Sequence, residues 1–594
     1  MFASWLETHD LNDYTFSSFL LPDSSDRAFW EAHQLPDLIE NAEQYLNYRW
    51  PLILAADFMA FKHEGIRRQQ EKPYFERRRI LLRLILAEVQ EHQGRFLPDV
   101  VNGLMLICEE TFWGLSAHWP GEPGNIPDHK HPYIDLFAAE TSSTVTLAYT
   151  LLKDELKDFC PELLTRIEDE VERRILTPYL EHRDFWWMGY GHGVNNWNPW
   201  ILCNVLQSFL LMEKDEQRKR EAVQKTMTEI EAFYRCYPMD GACDEGPNYW
   251  TVAANTMAQF CMLLHRATNG AIDFFGDEKM RNMGEYEYHA YIGDGRFINF
   301  CDCPATNPVL CGCVYAYGKW IGSEKMMGMA GELAKRWSIK NESDEAEHLR
   351  YLLFNMLYWQ EMKEQKWQRE PEFLLPDTKI AAKRSGEWYF AAKGGHNNEG
   401  HNHNDVGSFM LFYQDQPVLI DPGCGFYNKK TFSAQRYEIW TMQSGWHNLP
   451  VVNGQMQPDG RNFRSSRFDL TEDGTACEFA GAYKPEAGVE KLERAIQYTE
   501  NGIRVTDDFT FTGEENTAEE HLMTNRPVTI KNGKAYLEGG FVIEADGAGF
   551  ETDTMDISYD ERLHGQWQAD YLTRLRFTQK FGRNGKMIYT VKKI

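Results

Sequence analysis

The densest chemical segment of this 594-residue chain is Gly394-Gly395-His396-Asn397-Asn398-Glu399-Gly400-His401-Asn402-His403-Asn404-Asp405. Three imidazoles among glycines and amides do not make a packed strand. Glycine lets backbone approach a ligand closely, and imidazole supplies an acid, a base or a metal ligand near neutral pH. In an extended segment His401 and His403 point the same way. Further on, Asp421 ends the apolar run Val418-Leu419-Ile420, and His447 lies in Gln443-Ser444-Gly445-Trp446-His447-Asn448. An Asp at a strand end with two histidines is a sound ligand set for a divalent metal such as zinc. The plain alternative for Asp421 is a turn cap.

Two more segments pair aromatics with amides. Trp186-Trp187-Met188-Gly189-Tyr190-Gly191-His192-Gly193-Val194-Asn195-Asn196-Trp197-Asn198-Pro199-Trp200 reads as a loop opening a helix. Its rings can stack on sugars, and its amides can bond a carboxylate while carrying no charge. Asp240-Gly241-Ala242-Cys243-Asp244-Glu245-Gly246-Pro247-Asn248-Tyr249-Trp250 is a second such loop, with Tyr249 at the helix mouth. Cys301-Asp302-Cys303 and Cys311-Gly312-Cys313 bring four thiols near one another in sequence. Their spacing is not that of a zinc ribbon, so they are read as buried thiols.

These segments must be positioned by two kinds of structure. Leu164, Ile167, Val171 and Ile175 recur at helical spacing, as do Leu202, Val205, Leu206, Phe209 and Leu210 after Pro199, and Met257, Phe260, Leu263 and Leu264 before Gly270. The stretch from Ile80 to Val89 is a further amphipathic helix. Near residue 370 the pattern changes: Glu370 to Asp377 reads as a linker, and period-two alternation follows. Phe409 to Tyr413 and Val418 to Ile420 flank a hairpin loop, and Asn532-Gly533 and Asn584-Gly585 each sit between alternating runs. The expected architecture is α+β and multidomain: an N-terminal (α/α) toroid over 1–369, a linker over 370–380 and a C-terminal antiparallel β-sandwich over 381–594. A solenoid or a bundle satisfies the same helical periodicity.

Composition narrows the function. Aromatics make up 14% of the chain, with 18 Trp, an excess suited to sugar stacking. The formal net charge of −27 argues against a nucleic-acid partner. No apolar run is long enough to span a bilayer, so no membrane partner is expected. Met1 to Asp10 lacks the basic and apolar regions of a signal peptide, which gives a cytoplasmic expectation. Oligomeric state is not readable.

The segments GGHNNEGHNHNDVGSF, LIDPG and QSGWHN together resemble the heparinase II/III-like polysaccharide lyases, and NNWNP and DEGPNYW resemble that family's toroid motifs. The resemblance runs from about Pro132 to Asn448, with the five motifs in the family's order. It implies β-elimination on a uronic-acid-containing glycan, most simply a glycosaminoglycan such as hyaluronan, chondroitin sulfate or heparan sulfate, with alginate behind them. By the same resemblance Asn195 neutralises the uronate carboxylate, Tyr249 and His401 are catalytic, and His403, Asp421 and His447 hold a structural divalent metal, zinc with manganese as the alternative. This chain has Val194-Asn195-Asn196 where some members carry His or Glu, so Asn196 could take the neutralising role with His192 assisting. Trp197 and Asn248 belong to the same substrate-binding group, and Arg436 joins it on charge alone. Two rivals stand beside this reading. One is a toroid hydrolase using Asp244, Glu245 or Glu140. The other is a glycan-binding protein without turnover.

Overall fold

The computed structural model describes residues 1–120, 126–307, 310–340, 348–428 and 430–594. The chain divides into two compact units, one of Met1–Tyr237, Thr251–Glu285 and Pro308–Gln368, the other of Pro238–Trp250, Tyr286–Asn307 and Arg369–Ile594. The loop that carries Tyr249 therefore counts with the C-terminal sheets and not with the helices that flank it in sequence.

The first unit is helical. Leu163, Ile167 and Val171 form the buried stripe of the helix Pro161–Val171, and a π-helical turn over Glu172–Leu176 carries that stripe on to Ile175. Trp197–Met212 begins where Pro199 can sit inside the first turn, since the amide that proline lacks has no partner there anyway. Ala254–Ala267 ends before Gly270, whose φ of +83° suits only glycine at low cost. Two kinds of helix are present. Pro161–Val171 and Glu216–Cys236 bury one face, whereas Leu136–Leu151, Trp197–Met212, Ala254–Ala267 and Leu349–Met362 are buried nearly all round. Helices of the second kind belong to the interior of a helical layer.

The second unit is built on antiparallel sheets. Among the described residues one sheet runs Glu372–Leu375, Ile380–Ser385, Trp388–Lys393, Phe409–Tyr413, Gln416–Leu419 in spatial order. A four-stranded sheet holds Glu551–Asp556, Tyr571–Phe581, Asn516–Thr524 and Pro450–Val452, and an eight-stranded sheet contains Val489–Thr499, Gly502–Phe511 and Asn584–Lys593 at its centre. One apolar core is shared by all three, with Phe390 and Leu411 from the first, Leu522 and Leu575 from the second and Ile496, Val505 and Val591 from the third.

Turn chemistry explains most of the register. Gln414 and Asp415 both adopt positive φ in a two-residue turn, as do Asn532 and Gly533. The expected hairpin at Asn584-Gly585 is corrected: these residues open a strand and pair with Thr510 and Phe509, and the chain bends at Gly582-Arg583 as it passes from one sheet to another. Gly585 is required there by packing, because a Cβ would lie 2.2 Å from the Phe581 ring. The segment expected as a linker contains the strand Glu372–Leu375, which pairs with Ile380–Ser385.

Candidate active site and metal centre

In the second unit the glycine-rich segment meets the Tyr249 loop. Gly400 makes this approach possible, since a Cβ on it would come within 2.7 Å of Glu245 Cγ, and its N–H donates to Asp244 at 3.2 Å. The next residue, His401, holds a left-handed φ of +52°, a conformation that costs a non-glycine residue of order 1–3 kcal/mol. That turn sets its ring against Tyr249, with centroids 4.4 Å apart.

A carboxylate and a second phenol complete the cluster. Asp302 Oδ2 accepts from His401 Nδ1 at 2.7 Å and from the Tyr427 hydroxyl at 3.2 Å. Tyr427 Oη lies 2.9 Å from Tyr249 Oη and 3.3 Å from His401 Nδ1. Arg562 stacks its guanidinium over the Tyr427 ring and donates to the Asp302 carbonyl. With Nδ1 held by Asp302, Nε2 is the nitrogen turned away from that carboxylate, 4.0 Å from Glu245 Oε2. Burial would raise the Asp302 carboxyl, but bonds from His401 and His403 and the charge of Arg436 outweigh it and hold the group well below the usual carboxylate range. Burial pushes the Tyr249 phenol well up, and the Tyr427 hydrogen bond opposes this without cancelling it. Tyr249 therefore rests protonated.

Asp302 also anchors the neighbouring group. His403 Nε2 lies 3.0 Å from Asp302 Oδ1, so that nitrogen carries the proton and Nδ1 is left with its lone pair. Nδ1 is buried and has no hydrogen-bond partner. His447 Nε2 donates to the Thr441 carbonyl at 3.0 Å, which turns Nδ1 toward Asp421 Oδ2 at 2.9 Å. His403, Asp421 and His447 are all fully buried, and their ligand atoms lie within 4.8 Å of one another. An orphaned imidazole nitrogen, a carboxylate and a second imidazole fit a divalent cation. A carboxylate behind a ligand histidine is the usual way of fixing its tautomer. Among the described residues no cysteine joins a group of this kind.

Arg436 is turned into the loop. It is 8% exposed, and its guanidinium donates to the Asn402 carbonyl, the Thr431 carbonyl and Asp302 Oδ1. Those bonds commit the charge to bracing the loop rather than to a ligand. Asn248 lies half-buried beside Tyr249.

The remaining expected residues lie on one loop of the helical unit. Asn195 is exposed, with its Oδ1 accepting from Trp197 N at 3.1 Å. Asn196 is 7% exposed, so Asn195 is the more accessible of the two neighbouring amides. His192 is exposed and bonds the Gly193 carbonyl. Trp197 packs against Trp186 at 4.9 Å. Asp302, Tyr427 and Arg562 were not anticipated from the sequence. Asp302 sat inside a segment singled out for its thiols, and the run Asp421-Pro422-Gly423-Cys424-Gly425-Phe426-Tyr427 carries the glycine signal of a ligand loop without saying which side chain matters.

Comparison with known proteins gives this arrangement a context. Residues 368–554 match the family model Heparinase II/III-like, C-terminal. The crystal structure of heparinase III matches with a TM-score of 0.63 at 12% identity, covering 98% of this chain and 93% of that one. A heparan sulfate lyase mutant from Pedobacter heparinus gives 0.59 at 12% identity, over 93% and 87%. A chondroitin AC lyase mutant from Streptomyces coelicolor A3 gives 0.53 at 11% identity, over 96% and 79%. A search of curated proteins by sequence found no match. At such identities the likeness is one of fold.

Proposed function

Taking the heparinase II/III-like C-terminal domain of residues 368–554 as premise, we propose that this protein is a polysaccharide lyase. It cleaves uronic-acid-containing glycans by β-elimination and leaves 4,5-unsaturated uronate ends. Glycosaminoglycans such as hyaluronan, chondroitin sulfate or heparan sulfate are the first substrates to consider, and alginate the next. The observation that carries this reading is the cluster of Tyr249, Tyr427, His401 and Asp302, an acid and a base in contact around one carboxylate.

The chemistry follows from the protonation states. The C5 proton of a uronate is a very weak acid while the adjacent carboxylate is charged. By the resemblance, Asn195 is the neutral NH₂ donor for that carboxylate and stabilises the enolate as it develops; loss of one such donor costs about 3 kcal/mol. His401 Nε2 takes the C5 proton. Tyr249, protonated at rest, gives its proton to the departing O4, and each transfer is worth roughly 10²–10⁴ in rate. Tyr427, held by Asp302, sits 2.9 Å from the Tyr249 oxygen and keeps that phenol in position. His403, Asp421 and His447 would hold a divalent metal, zinc by donor type with manganese as the alternative. Its contribution would be to lock the segment that carries His401.

The architecture is read in the same terms. The two kinds of helix are taken as the inner and outer layers of an (α/α) toroid over 1–369, and the sheets with a common core as a β-sandwich over 381–594.

The test is ultraviolet absorbance of the new C4=C5 double bond during incubation with hyaluronan, chondroitin sulfate, heparan sulfate and alginate in turn. A rise with one of them that Tyr249→Phe abolishes is the expected result. Chain shortening without that absorbance would replace the lyase with a hydrolase.

A further inference from the structure

A second polar group sits in the helical unit, packed against Trp197 of the loop that bears Asn195. Asp135 caps the helix Leu136–Leu151 and is fully buried. Its Oδ1 accepts from Ala138 N at 2.7 Å, and its Oδ2 accepts from Leu115 N at 3.1 Å and from His118 Nδ1 at 2.9 Å. The carboxylate thus holds the proton on Nδ1 of His118, and Nε2 is the ring nitrogen left for another partner. Nε2 has no hydrogen-bond partner among the described residues. The ring is fixed from both sides, lying near-parallel to Phe137 at 5.7 Å and against Trp197 at 4.8 Å. Trp197 in turn packs on Trp186, whose indole is 42% exposed.

A buried acid that orients a histidine is out of place in a purely apolar contact, where a satisfied hydrophobe would serve. An oriented acceptor next to an exposed indole is what a pyranose needs, because its C–H face stacks on an aromatic ring while hydroxyls project from its rim. We propose that Trp186, Trp197 and His118 form a pyranose-binding subsite beside Asn195, in which His118 Nε2 accepts a hydrogen bond from a ring hydroxyl of the glycan. His118 is then a positioning residue and Asp135 sets its tautomer. The inference rests on the uronate-glycan reading above and adds to it a place for a sugar.

Two measurements on the whole protein test it: steady-state kinetics and isothermal titration calorimetry, both with hyaluronan, unsulfated chondroitin and alginate oligosaccharides. In His118→Ala, KM and Kd rise up to about tenfold, as loss of one hydrogen bond predicts, while kcat stays within about twofold. His118→Gln, which restores an acceptor, recovers part of the loss, and Trp186→Ala weakens binding in the same way. Melting temperatures stay at the wild-type value. Unchanged KM and Kd in His118→Ala overturn the subsite and leave the lyase standing, as does a fall in kcat that tracks a lower melting temperature. Binding without turnover that His118→Ala weakens removes the lyase and keeps the subsite. No binding of any of these glycans overturns both.

Discussion

One carboxylate organises both halves of the C-terminal site. Asp302 receives His401, His403, Arg436 and the Tyr427 hydroxyl. It therefore sets the tautomer of the proposed base, the tautomer of a metal-ligand histidine and the position of the loop brace. A neutral amide at this position cannot accept from all of these donors, because its NH₂ must face one of them. Asp302→Asn is expected to lower kcat by about 10–100-fold and to reduce bound metal, the range found when a group behind a metal ligand is changed. Turnover kinetics with elemental analysis of the purified variant check this, and full activity with full metal content would remove Asp302 from the mechanism. The sequence showed His401, His403 and Tyr249 because their neighbours are glycine and asparagine, which mark loops that meet ligands. It did not show Asp302 or Tyr427, because their importance comes from partners 99 and 178 positions away. Local pattern carries no information about pairings of that range.

At the scale of strands, period-two alternation places three charged side chains on the inward face. Arg494 lies between Leu492 and Ile496, Asp507 between Val505 and Phe509, and Glu520 between Ala518 and Leu522, all buried. Alternation alone reads these positions as core and charge alone reads them as surface. The conflict is settled because the groups satisfy one another: Arg494 donates to both carboxylates, and Tyr589 donates to Glu520. The hairpin at Asn532-Gly533 was legible for the opposite reason, since its turn geometry is local, whereas Asn584-Gly585 misled because its glycine answers to the Phe581 ring. Two acids share one arginine here. Burial, aided by the charge of Asp507, raises Glu520 to about 8. An acid raised in the folded state from its usual value of about 4.3 favours folding at low pH, and that contribution is lost as pH climbs from about 4.3 through about 8. Glu520→Gln mimics the protonated form. Its melting temperature should gain on the wild type steadily across that window and level off above it. Parallel melting curves for the two proteins from acid to alkaline pH would show that Glu520 is ionised in the fold.

The whole molecule carries a net charge of −27 and is proposed to act on a polyanion. Local cations do not obviously reverse that field. Arg436 is committed to Asp302 and two carbonyls, and Arg562 to the Tyr427 ring and the Asp302 carbonyl. On the proposed reading the groups offered to the uronate are neutral: an amide, a phenol and an imidazole. A neutral donor set lowers the cost of burying the uronate next to an acidic protein, but it leaves the approach repulsive. The Debye length falls from roughly 30 Å at 0.01 M salt to roughly 8 Å at 0.15 M, so added sodium chloride screens the long-range term and spares the buried contacts. With an anionic oligosaccharide, kcat/KM is therefore expected to rise severalfold over that range, through association, while kcat stays level. Initial rates at several salt concentrations distinguish this from the reverse case. A rate that falls with salt would mean that a cationic patch outweighs the net charge and steers the substrate in, which would favour sulfated glycans over unsulfated ones.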